Sequence, residues 1–182
     1  MNPEPLTSPS PEREKQKEVL NDNARKFVAE PLDPVFLEAH GAIPYLLVTD
    51  WTETGEDNET KVVYKKFDSG EVQIFLISKT TVDGKRTKEK EDITEDEKRY
   101  KKLKNLSKCH VKKMRHEFSY IQNGISFIIN YDEFAGGKLV MLDVDGSTPE
   151  ERDLFEPGNF PVKLIEVSDD PRYSGHRIAE IL

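Results

Sequence analysis

The chain has 182 residues, of which 34% are charged and 35% hydrophobic, and it carries a formal net charge of -8. That acid excess argues against a general binder of DNA or of anionic membranes, although local charge can oppose net charge. A single cysteine, Cys109, excludes an intrachain disulfide; no run reaches the ~20 apolar residues of a membrane-spanning helix and no apolar leader opens the sequence, so a cytoplasmic protein is expected.

Residues 1–21 form a Pro-rich and then charged stretch that reads as a flexible tail, with a short charged helix expected over Glu12–Asn21. Residues 22–182 read as one domain. Asn23–Glu30 is its first strand. Asp33 followed by Pro34 predicts the start of a short helix that ends near Gly41. Ile43–Trp51 and Thr60–Phe67 are the next strands, separated by an acidic loop, and Asp68-Ser69-Gly70 is a tight turn.

Glu71–Ile93 reads as a hairpin around Val82-Asp83-Gly84-Lys85. Its first arm is apolar and its second alternates in charge. Lys88 and Lys90 fall on one face of that arm, Glu89 and Glu91 on the other. Thr94 with Glu97 resembles a capping box, and Tyr100, Leu103 and Leu106 recur at helical spacing. Cys109–Tyr120 and Ile125–Tyr131 then pair around Gln122-Asn123-Gly124. Lys138–Val144 is a further strand, and Ser147 or Thr148 before Pro149 opens a short helix. Antiparallel hairpins dominate. The expected fold is therefore an antiparallel β barrel or tunnel of about eight strands with short peripheral helices.

Four groups of charged residues stand out: Arg25-Lys26; Lys61 with Lys65 or Lys66, followed by Lys79; Arg86 with Glu89 and Glu91; and Lys113-x-Arg115 with Asp143-x-Asp145. Spacing i,i+2 puts both members of a pair on one side of a strand. Carboxylate pairs suit Mg²⁺ or Mn²⁺, and Lys and Arg side chains suit phosphate oxygens. The same alternation also fits a solvated sheet face, and a charged scaffold is the bland alternative. The four histidines have no metal-ligand spacing.

Taken in order, these residues resemble the CYTH superfamily, the triphosphate tunnel metalloenzymes. The family's Glu-x-Glu-x-Lys strand is similar to Asp22-Asn23-Ala24-Arg25-Lys26, with Ala24 in place of the second carboxylate. Its Arg-x-Arg strand corresponds to Lys61-Val62-Val63, with Val63 in place of the second cation, and its isolated strand lysine to Lys79. The Arg followed by alternating Glu corresponds to Arg86 through Glu89 and Glu91. Lys113-Met114-Arg115 and Asp143-Val144-Asp145 follow, and the tail Val167–Ser174 is the sharpest local match. The resemblance runs from Asp22 to Ala179.

It implies phosphate binding by Lys26, Lys61, Lys79, Arg86, Lys113 and Arg115. It implies metal ligation of Mg²⁺ or Mn²⁺ by Asp22, Glu89, Glu91, Asp143 and Asp145, with Glu89 and Glu91 also as catalytic groups. The activity it implies is metal-dependent hydrolysis of a small triphosphate: inorganic, nucleotide or thiamine triphosphate. A binding module without turnover and an adenylyl-cyclase-like activity are the alternatives. No DNA or membrane partner is expected, and a homodimer is compatible with the sequence.

Overall fold

The structure, a computed structural model, describes residues 15–19 and 24–182. Among the described residues ten strands make one antiparallel sheet. They are β1 (Lys15–Val19), β2 (Arg25–Ala29), β3 (Ile43–Thr54), β4 (Asn58–Phe67), β5 (Val72–Val82), β6 (Lys85–Asp92), β7 (Cys109–Gln122), β8 (Ile125–Phe134), β9 (Leu139–Asp145) and β10 (Leu164–Glu166). Four short helices decorate it: α1 (Pro34–Ala39), α2 (Glu97–Asn105), α3 (Pro149–Asp153) and α4 (Gly175–Ile181).

The strand order is β1-β6-β5-β4-β3-β7-β8-β9-β2-β10. The two ends do not pair, so the expected closed barrel or tunnel is not formed; the sheet is open. The reason lies at its edges. The strands that would have to meet to close the wall are the outermost two, β1 of five residues and β10 of three. The free side of β6 is hydrogen-bonded to β1, and that of β2 to β10. The helix expected over Glu12–Asn21 is likewise replaced at Lys15–Val19 by a strand, because the edge of β6 offers it backbone partners.

Period-2 alternation sorts the side chains of the long strands onto two faces. On one face apolar residues gather under the helices. Phe27, Phe127, Ile129, Leu142 and Val144 form the larger core with Leu37 of α1, Phe155 and Phe160. Val62, Ile74 and Ile93 form a second core, against which Tyr100 and Leu103 of α2 pack. Burial of such side chains stabilises by about 1.5–3 kcal/mol each. The other face is the concave one, and most of its residues are polar.

Hairpin geometry follows from local chemistry. Asn123-Gly124 joins β7 to β8 with φ of 53° and 79°. This pair of left-handed residues matches the twist of two antiparallel strands. Asp96, rather than Thr94, caps α2, its side chain accepting from the Arg99 amide. Thr94 is engaged elsewhere: its hydroxyl accepts from the Ile74 amide at 2.9 Å and ties the helix entrance to β5.

Candidate functional site

The concave face encloses a cavity of about 540 Å³. Lys26 reaches it from β2, Lys61 and Lys65 from β4, and Lys79 from β5. Lys88 and Lys90 enter from β6, and Lys113 and Arg115 from β7. Against these eight cations stand three carboxylates, Asp132 of β8 and Asp143 and Asp145 of β9. The cavity is thus strongly positive in a chain whose net charge is -8. β2 and β6 lie seven places apart in the sheet order, yet Lys26 and Lys88 line one cavity, so the sheet bends round it.

The most ordered part of the site is a clamp centred on Asp132. Arg115 donates to it through Nε at 2.6 Å and Nη2 at 2.7 Å. Lys113 donates to the same carboxylate at 2.5 Å. The Asp132 side chain is 3% exposed. Burial works against its ionisation, but Lys113 and Arg115 outweigh it and hold the carboxyl below the usual range. Burial likewise opposes charge on Arg115, whose bonds to Asp132 nevertheless raise it further. Lys113 is pushed down, by burial first and then by Arg115. Arg115 also approaches Asp143 at 3.5 Å.

Asp143 and Asp145 share a face of β9 beside this clamp. Burial, then the neighbouring Asp143, raises the Asp145 carboxyl. Asn130 stands directly opposite Asp143 on β8, and its Oδ1 is buried with no hydrogen-bond partner among the described residues. These are oxygen donors on adjoining strands. Among the described residues no group of three or more His, Cys, Asp or Glu side chains is placed to hold a metal. The donor set still suits Mg²⁺, which is held through one or two carboxylates together with substrate phosphates and water.

Most of the other lining residues are apolar, Thr49 and Tyr173 excepted. Val63 packs with Tyr45 and Leu47. α4 covers part of the cavity, with Ile178 packed on Trp51, Val111 and Met141. Gly175 lies so close to the indole that an added Cβ would meet Trp51 Cζ2 at 2.9 Å. Tyr173, within the tail Val167–Ser174, also lines the wall, and Gly175 and Ile178 of α4 follow it there.

Of the residues expected to bind phosphate, Lys26, Lys61, Lys79, Lys113 and Arg115 line the cavity, as do Asp143 and Asp145 of the expected metal ligands. Arg86 lies beyond the lining and reaches Glu59 at 3.5 Å. Glu89 and Glu91 are not brought to the cavity. They alternate with Lys88 and Lys90, and Glu91 is bound on the helix-covered face by Arg99 at 2.6 and 3.0 Å. Asp22 lies outside the described residues. Ala24 and Val63, where the family pattern carries charge, both line the wall. Sequence reasoning passed over Asp132, Asn130, Lys88 and Lys90. The alternation of Asn130 and Asp132 with apolar Ile129 and Tyr131 is the signal that could have found the first two.

No family model matches the chain, and no curated protein matches it. Solved structures do. One is the crystal structure of the inorganic triphosphatase NE1496, with a TM-score of 0.56 and 19% identity over 87% of this chain and 97% of that one. A second structure, of the hypothetical protein NE1496, gives 0.53 and 18% over 91% and 97%. At these identities the likeness is one of fold alone.

Proposed function

We propose that the chain binds a small triphosphate in the concave cavity and hydrolyses its terminal phosphoanhydride bond with the help of a divalent cation. The observation that carries this reading is the array of eight cations around one cavity, two of them braced by a buried aspartate. The fold it shares with a protein described as an inorganic triphosphatase supports it.

In this reading the lysines neutralise non-bridging phosphate oxygens, and Arg115 supplies planar, directed donors. Asp132 fixes the direction of those donors before substrate arrives, so little reorganisation accompanies the reaction. Asp143, Asp145 and Asn130 would hold Mg²⁺ or Mn²⁺ together with the phosphate chain. When bound, the ion supplies charge neutralisation at the reacting phosphoryl group. A water oxygen attacks the terminal phosphorus and gives its proton to a cavity carboxylate, the P–O bond to the bridging oxygen breaks, and the diphosphate end of the substrate leaves, as diphosphate itself or as its nucleoside or thiamine ester. Glu89 and Glu91, outside the cavity lining, are not used in this reading; the carboxylates that line the cavity are Asp132, Asp143 and Asp145.

The test is phosphate release from inorganic, nucleoside and thiamine triphosphates, with and without Mg²⁺ or Mn²⁺. Metal-dependent release from at least one is expected. Arg115→Ala should lower kcat/KM by about 10- to 100-fold, the worth of a charge-assisted pair. No release across the panel would overturn hydrolysis. Ala24 and Val63 on the wall favour a second reading, a triphosphate-binding protein without turnover. Metal-independent binding with no product would establish that one.

A further inference from the structure

Glu59 lies on β4 two residues before Lys61 and on the same face, at the edge of the cavity and outside its lining. Its Oε1 meets Lys61 Nζ at 2.7 Å, and its Oε2 is 3.5 Å from Arg86 Nη2. In the sheet register it stands opposite Lys79, which in turn stands opposite Lys88. The side chain is 14% exposed. Burial opposes its ionisation, but Lys61, Lys79 and Arg86 more than offset this and hold it at about 2. It is therefore an anion at every pH at which a phosphate chain would bind.

Two cations that line the cavity, Lys61 and Lys79, thus meet a carboxylate that belongs to the protein. We propose that Glu59 is a length stop: a fixed negative charge that ends the row of cations and limits how long a phosphate chain the cavity accepts. A terminal phosphoryl group can share Lys61 and Lys79 with Glu59. One more phosphoryl group has to take the place of the carboxylate itself, and like charges at that distance repel. Selection here works by a repulsive element against the longer ligand, not by a new contact to the shorter one. This inference rests on the triphosphate reading above. It differs from a purely structural role, in which Glu59 only neutralises Lys61, Lys79 and Arg86.

The test compares dissociation constants for inorganic triphosphate and tetraphosphate without added metal, so that turnover is not needed. The proteins are the full chain, Glu59→Gln and Glu59→Asp. Wild type should prefer triphosphate. Glu59→Gln, which removes charge and keeps shape, should improve the affinity for tetraphosphate relative to triphosphate by about tenfold or more. Glu59→Asp, which keeps the charge, should retain the wild-type ratio. Equal changes in both affinities, or an unchanged ratio in a Glu59→Gln protein that melts cooperatively, would overturn the length stop and leave the triphosphate reading intact. Binding of neither anion by the wild-type chain, with or without Mg²⁺, would overturn both.

Discussion

At the scale of single residues the cavity depends on Asp132. It touches both Lys113 and Arg115, and it is nearly fully buried. Removing one partner of a buried ionic cluster leaves the others uncompensated and costs about 3–5 kcal/mol. Asp132→Asn should therefore lower the urea midpoint strongly at pH 7, with triphosphate affinity falling as the Arg115 donors lose their direction. The pH dependence has a definite sign. The folded carboxyl is held below its ordinary value, so its contribution is fully present above about pH 4 and is lost as pH falls through the folded value. The stability difference between wild type and Asp132→Asn should narrow as pH is lowered from 4 in a denaturation series. A gap that stays constant down to pH 3 would show that the carboxylate's charge contributes nothing.

At the scale of elements, β6 shows what the sequence can and cannot convey. Strands such as β8 and β9 announce their inward face, because one phase of the alternation is apolar and the other is not. Thr87 to Glu91 is charged or polar in both phases, so the pattern reveals two faces without saying which looks inward. That choice is made by α2: Arg99 reaches over the sheet and binds Glu91, which turns Lys88 and Lys90 to the cavity. Glu91→Gln should lower thermal stability through the lost bidentate pair, by about 1–3 kcal/mol, and leave triphosphate affinity within about twofold. Calorimetry and titration of the same preparation would separate the two effects. A large loss of affinity with little loss of stability would return Glu91 to the site. Strand positions and hairpin turns were legible for a related reason, since alternation and Asn-Gly or Asp-Gly pairs act locally. The open edges were not, because the pairing of β1 with β6 and of β10 with β2 is decided between segments far apart in sequence.

At the scale of the whole molecule, a positive cavity sits in a negative chain. Anion binding should relieve the repulsion among its lysines and stabilise the fold. At 100 times the dissociation constant, triphosphate should add about 2.7 kcal/mol, read as a raised melting temperature. The gain should shrink as salt is raised toward 1 M, where the screening length falls to about 3 Å. An unchanged melting temperature at saturating triphosphate would refute the cavity as an anion site. The apolar mass that holds the sheet together lies behind it, under α1 and α2, while the concave face carries the chemistry. Conformational stability and ligand choice are consequently written in alternate residues of the same strands. A substitution at an inward position such as Ala24 or Val63 can change what the cavity holds without touching the main core. Such a scaffold can gain, lose or exchange substrates over evolutionary time and remain folded throughout.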